Sequence, residues 1–220
     1  MNPHAGSVEA VVSASTRVLA ISGSLRAQSF NTAVLKAVAL LAPPDVEVEV
    51  ISRLDALPHF NPDLDVHGME PPPNVLDLRR RVGAADALMF CSPEYAHGVP
   101  GTLKNALDWL VSAPEVLAKP VALLNGSPRS WHAQAFLAET LRTMAMHLVP
   151  SAAITVSMPG RKVDAAAIAR DPELAAALRG GLDALVHAAR APHPVSRDDR
   201  RQPTFGGTRL RPAEPCAGST

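Results

Sequence analysis

The sequence predicts an α/β domain in three layers: a five-stranded parallel sheet, order 2-1-3-4-5, with helices on both faces. Three observations carry this. Short apolar runs alternate with stretches of helical period five times along the chain. Most of the apolar runs are continuous, as in strands buried on both faces. At 220 residues, the chain is long enough for one real core and too short to require two.

The elements follow in order. Residues 1–15 read as a loose, small-residue tail. "RVLAIS" (17–22) is a buried strand. "NTAVLKAVALLA" (31–42) is a helix capped by Asn31 and stopped by Pro43 and Pro44. "VEVEVI" (46–51) alternates strictly, which suits a strand at a sheet edge. The Pro- and Asp-rich stretch 52–74 is loop, and 75–86 is a short amphipathic helix. "ALMFCS" (87–92) is the third strand. In 101–112, Leu103, Leu107 and Leu110 share one helical face.

"KPVALLN" (119–125) is the fourth strand. The helix 133–148 carries a stripe of Phe136, Leu137, Leu141, Met144 and Leu148, and "AITVS" (153–157) is the fifth strand. The last helix, 171–190, opens with Asp171 as cap and Pro172 at its first position, and Gly180-Gly181 weakens its middle. Residues 191–220, rich in Pro, Gly and Arg without a period, read as a disordered tail, leaving 16–190 as the domain.

Composition excludes several classes of function. Lys plus Arg number 21 and Asp plus Glu number 21, so no charge excess points to nucleic acid or an anionic membrane. No stretch approaches a membrane span, and the N-terminal residues lack the basic start and apolar run of a signal peptide, so the expectation is a soluble cytoplasmic protein. The eight histidines are scattered without paired ligand spacing, and the two cysteines give neither a zinc pattern nor a disulfide framework. Cys91, in an apolar run, reads as a small buried hydrophobe. A phosphatase loop would need Arg six residues beyond Cys91, where His97 stands, and Ser127 lacks the Gly-x-Ser-x-Gly context of an esterase.

In such a sheet, ligands bind beyond the carboxyl ends of the strands where the strand order reverses, here between the first and third strands. Two loaded loops fall on either side of that point. "SGSLRAQSFN" (22–31) lacks both the three-glycine dinucleotide fingerprint and the Gly-Lys-Ser/Thr of a P-loop. It offers a helix start with unpaired N–H groups near Phe30 and Asn31, hydroxyls at Ser24 and Ser29, and the Arg26 guanidinium, a set that suits a terminal phosphomonoester. The plainer alternative is that Ser29 and Asn31 only cap the helix while Arg26 is solvated. "SPEYAHGVPG" (92–101) is stiffened by Pro93 and Pro100 and shaped by Gly98 and Gly101. It holds Tyr95, the only tyrosine, as a flank for a planar heterocycle or as an ordinary hydrophobic plug.

"GSLRAQSFN" and "SPEYAHGVPGTLKNALDWL" resemble the two signatures of the NAD(P)H-dependent FMN reductases, flavodoxin-like flavoproteins that include chromate, quinone and azo-dye reductases; the likeness runs from about Val18 to Val156. The resemblance implies an FMN phosphate held at Ser24, Arg26, Ser29, Phe30 and Asn31. It implies an isoalloxazine ring lying along Pro93, Glu94, Tyr95, Ala96, His97 and Gly98, with Ser127 nearby. It implies hydride passing from NADPH or NADH through FMN to a small-molecule acceptor: a quinone, azo compound, free flavin or oxidised metal ion. It also implies a homodimer or homotetramer, for which Trp109 and Leu110 offer either an interface or simple core packing.

Two departures from the family pattern stand out. Ala96 occupies a position where relatives commonly carry Asn, and the loop after the fourth strand holds Pro128, Arg129, Trp131 and His132 where relatives are often glycine-rich. Arg26 and Arg129 are candidates for the NADPH phosphates. Two rival readings remain at this stage. One is a flavodoxin-type electron carrier, which zero net charge disfavours; the other is a flavin-free binding or regulatory protein on the same fold.

Overall fold

The computed structural model describes residues 15–156 and 164–191. Residues 1–14 and 192–220 of the expected tails, and Ser157 of the expected fifth strand, lie outside them. Six strands form one parallel sheet: β1 (Thr16–Ser22), β2 (Val46–Ile51), β3 (Ala87–Cys91), β4 (Pro120–Asn125), β5 (His147–Leu148) and β6 (Ile154–Thr155). The order is β2-β1-β3-β4-β5, with β6 also on β4. β5 pairs with the start of β4 and β6 with its end, so the two are halves of one interrupted fifth strand. Pro150, which lacks an N–H to give to a ladder, opens the 3₁₀ turn between them.

The helices are α1 (Phe30–Leu41), α2 (Pro73–Ala84), α3 (Gly101–Asp108), α4 (Trp131–Thr143), α5 (Ala165–Arg170) and α6 (Pro172–Arg190). Alternate residues of the central strands serve two cores. Val18 and Ala20 of β1, with Ala87, Met89 and Cys91 of β3, pack toward α1 and α6. Leu19, Ile21, Leu88 and Phe90 pack toward α2, α3 and α4. This is the period of two expected when a strand is covered on both faces. The strictly alternating β2 is indeed at the edge, with Glu47 and Glu49 exposed.

Several expectations are corrected. α1 begins one residue earlier than expected, and its cap is Ser29, whose Oγ accepts from Thr32 N at 3.3 Å; Asn31 is inside the helix. The fourth helix ends at Thr143, because Ala145 turns the chain at φ +56°, so Leu148 belongs to β5. Phe136 is exposed, while Leu137 and Leu141 carry the buried stripe. Of the two alternatives for Trp109 and Leu110, their full burial within the chain is that of core packing.

Trp109 anchors the loop between β2 and α2. Its Nε1 donates to Pro58 O at 2.9 Å, and its ring meets Phe60 edge to face at 5.0 Å. Arg79 of α2 donates to Trp109 O and to Asp65 Oδ1, binding the same loop from the other side. A Pro-rich stretch with no period is thus held by side chains from two helices.

Candidate functional site

Three loops converge at the carboxyl ends of β1, β3 and β4. Ser22 is in register with Cys91, and Gly23 N donates to Cys91 O at 2.9 Å, so the first two loops leave the sheet side by side. A Cβ on Gly23 would collide with Ser92 Oγ. A Cβ on Gly126, the first residue after β4, would lie 2.5 Å from Asn31 Oδ1 and 3.2 Å from Phe30 Cδ1. Only glycine at these two positions lets the three loops close on the start of α1.

The first loop is internally braced. Ser22 Oγ and Thr32 Oγ1 share a buried hydrogen bond of 2.7 Å, and Ser24 Oγ accepts from Arg26 N at 3.4 Å. Ser24 and Ser29 are buried, and Arg26 is exposed beside them. Ala33 N bonds back to Ser29 O and Thr32 N to Ser29 Oγ. Among the described residues the Phe30 and Asn31 N–H groups have no acceptor, as expected for the first positions of a helix. Their positive helix end is open to an anion. The hydroxyl protons of Ser24 and Ser29 are also spare, since both oxygens act as acceptors.

Asn31 has a structural partner besides. Its Oδ1 accepts from Cys91 Sγ at 3.3 Å. Cys91 is fully buried, and burial pushes its thiol up to about 12, so it stays protonated as a donor.

In the second loop, Tyr95 and Gly98 exchange both backbone hydrogen bonds at 2.9 Å, closing a two-residue turn. Its central residues, Ala96 and His97, have φ of +49° and +62°. This is the type I′ geometry that usually selects Asn-Gly, so both side chains stand in a strained left-handed backbone. The turn consumes the N–H groups of Tyr95 and Gly98. Those of Ala96 and His97 have no acceptor among the described residues. Tyr95 is about half exposed, so it is no buried plug.

Glu94 faces the third loop. Its Oε2 accepts from Ala133 N, in the first turn of α4, at 2.9 Å, and its Oε1 lies 3.4 Å from His97 Nδ1. The Ala133 hydrogen bond holds its carboxyl below the usual range, with His132 and His97 adding to the effect against the cost of desolvation. The His97 ring meets His132 edge to face at 4.1 Å, and His132 stacks on the exposed Trp131 at 3.4 Å. Ser127 Oγ accepts from Arg129 N at 3.3 Å, while Pro128 and Arg129 are exposed.

The site residues expected from the sequence therefore lie on three loops at the carboxyl ends of the neighbouring strands β1, β3 and β4. Three features escaped the sequence: the Ser22–Thr32 hydroxyl pair, the close approach at Gly126, and the direction of Glu94. None had a legible signal, because each joins groups on different elements of the fold.

A parallel sheet of order 2-1-3-4-5, with the start of α1 at the switch between β1 and β3, defines a flavodoxin-like fold. Comparison with known proteins narrows this class. Residues 16–160 match the model of the NADPH-dependent FMN reductases, and the chain belongs to that family. It is 36% identical to an NAD(P)H-dependent FMN reductase of Pseudomonas aeruginosa over 154 residues, covering 68% of this chain and 82% of that one. It is 37% identical to an NADPH:quinone oxidoreductase of Arabidopsis thaliana over 157 residues, covering 68% and 79% of the two chains. Among solved structures it resembles FerB, a flavoenzyme NAD(P)H:(acceptor) oxidoreductase from Paracoccus denitrificans. That likeness has a TM-score of 0.62 at 31% identity over 79% of this chain and 97% of FerB. The chain is accordingly an oxidoreductase of a family that uses NAD(P)H and FMN. No helix among the described residues is long and apolar enough to cross a membrane.

Proposed function

We propose that this chain binds FMN across the crevice between its first two loops and carries two electrons from NADPH or NADH to a small-molecule acceptor of the quinone class. The observation that carries the reading is the pair of open N–H sets on opposite sides of one switch point. The Phe30 and Asn31 amides stand at the start of α1, and the Ala96 and His97 amides stand in the type I′ turn.

The residues fit the cofactor at both ends. The α1 amides, the Ser24 and Ser29 hydroxyls and the Arg26 guanidinium would hold the phosphate. They supply several donors and no carboxylate, as a dianion requires. The Ala96 and His97 amides would face the carbonyl edge of the ring and stabilise negative charge there, fixed in place before any charge develops. Pro93 and Gly98 bound the turn, Tyr95 flanks it, and Ser127 closes the third side. FMN, when bound, supplies the two-electron chemistry; the protein binds, orients and excludes water. The exposed Arg129 would meet a phosphate of the nicotinamide nucleotide. Exposed Trp131, stacked on His132, would line the space where nucleotide and acceptor alternate, and a flat aromatic acceptor matches that wall.

The test is anaerobic spectroscopy of the protein loaded with FMN and freed of excess. Retention of the visible flavin band and its bleaching by NADPH or NADH are the expected results. A retained band that neither nucleotide bleaches would indicate an electron carrier, and no retained flavin would remove the cofactor from the account.

A further inference from the structure

Resemblance places Glu94 among the groups along the flavin, yet its carboxylate is directed into the protein. Two strained residues, Ala96 and His97, follow it, and left-handed backbone of this kind persists only when its surroundings hold it. Few contacts are available to do so. Among the described residues, apart from Ser92 Oγ donating to the adjoining Pro93 O, the only hydrogen bond joining residues 93–99 to any other part of the chain is Ala133 N to Glu94 Oε2. The other oxygen of the same carboxylate faces His97 Nδ1 at 3.4 Å, inside the turn itself. The Glu94 side chain is only 14% exposed although it stands on a surface loop. The His97–His132 ring contact crosses the same gap as Glu94 does.

We propose that Glu94 is a positioning residue and not a cofactor contact. Its carboxylate clamps the β3–α3 turn to the first turn of α4 and so holds the Ala96 and His97 amides toward the crevice. The effect on flavin rests on the function proposed above; the clamp itself does not. One carboxylate does both tasks because each oxygen serves a different element: Oε2 satisfies an orphan N–H of α4, and Oε1 restrains the second strained residue. A glutamine can make the same two contacts, its amide oxygen accepting from Ala133 N and its amide nitrogen donating to a neutral His97 Nδ1. An alanine can make neither.

The test compares wild type, Glu94→Gln and Glu94→Ala in the full chain with two readouts. The first, on protein without flavin, is hydrogen exchange of the Ala133 amide and of the turn amides at 95–98. Exchange should accelerate tenfold or more in Glu94→Ala and stay within about threefold of wild type in Glu94→Gln, the span that roughly one lost hydrogen bond covers. The second is the dissociation constant for FMN and for riboflavin. Glu94→Ala should weaken both by the same factor, since the clamp acts on the ring side and not on the phosphate, and Glu94→Gln should recover most of the loss. Unchanged exchange in Glu94→Ala would overturn the clamp. So would a Glu94→Gln variant as weak toward flavin as Glu94→Ala, because that outcome means the charge itself meets the ligand. If wild type binds no flavin, the proposed function fails, and the exchange readout still decides the clamp.

Discussion

Gly180 and Gly181 stand side by side in α6, and the structure predicts opposite outcomes for the same substitution at each. A Cβ on Gly180 meets nothing within 4 Å. A Cβ on Gly181 collides with Ile154 Cδ1, lies 2.9 Å from Ile154 Cγ1 and 3.3 Å from Ala152 O. Replacing glycine by alanine inside a helix gains about 1 kcal/mol of propensity at either site. That gain cancels when the two variants are compared with each other. What remains is the overpacking of α6 against β6, typically about 1–3 kcal/mol where neighbours must shift. Ile154 has some freedom as a side chain, but the Ala152 carbonyl is backbone and has little.

Gly180→Ala should therefore raise the melting temperature. Gly181→Ala should fall below it by about 4–8 °C, taking about 2 kcal/mol and the shift of roughly 2–4 °C per kcal/mol expected at this size. Thermal unfolding followed by circular dichroism measures both. Adding Ile154→Val to Gly181→Ala removes the worst contact and should recover at least about 0.5 kcal/mol as coupling. Equal stabilisation by the two alanines would refute the close packing of α6 on the interrupted fifth strand.

Four further outcomes follow from the geometry. Ala96→Asn, which suits φ +49° better than alanine, should stabilise the chain by about 0.5–1 kcal/mol; an unchanged or lowered melting temperature would remove strain from the account of the turn. Arg79→Met breaks a largely buried pair with Asp65 and should cost about 3 kcal/mol or more in urea unfolding, whereas a loss under 1 kcal/mol would mean that Asn105 and Trp109 hold the β2–α2 loop without it. For Asp65, burial raises the carboxyl pKa, but the hydrogen bonds from Ser112 and Arg79 outweigh it and the net shift is downward. Its contribution is thus present above the unfolded value of about 3.9 and lost as pH falls through the lower folded value. Asp65→Asn should flatten the acid limb of stability against pH, and an unchanged limb would contradict that sign. Cys91, pushed up to about 12, should resist thiol labelling in the native state and react only on unfolding, as read at that residue by mass spectrometry.

The sheet was legible because its signal is hydrophobic period, which tertiary contacts reinforce. Continuous runs at β1, β3 and β4 lie in the middle, and the alternating "VEVEVI" lies at the edge. What failed was local. The apolar stripe of the fourth helix continues to Leu148 in the sequence, and apolarity does not reveal that Ala145 takes a positive φ. Asn and Ser are near-equal cap formers, so only the backbone decides between Ser29 and Asn31. Propensity alone makes Gly180-Gly181 a weakness, but the space at Gly181 is set by Ile154, twenty-seven residues earlier in the chain. At the candidate site, the donor-rich residues of both loops were legible because the proposed anion binding needs donor types that sequence displays. The direction of Glu94 was invisible for the opposite reason: its partner is a backbone N–H on another loop, and any residue at position 133 would present one.

On the proposed function, the helix start at Phe30 and Asn31, with Ser24, Ser29 and Arg26, holds the phosphate of FMN. Calorimetric titration of the flavin-free protein with FMN and with riboflavin, which differ only in that phosphate, isolates this interaction. Two charge-assisted hydrogen bonds, each contributing about 1.5 kcal/mol, correspond to roughly a hundredfold in affinity. FMN should bind tighter by at least about that factor, with the preference reduced in Ser24→Ala and Arg26→Ala. Equal affinity for the two flavins, or binding of neither, would rule out a phosphate site at the start of α1.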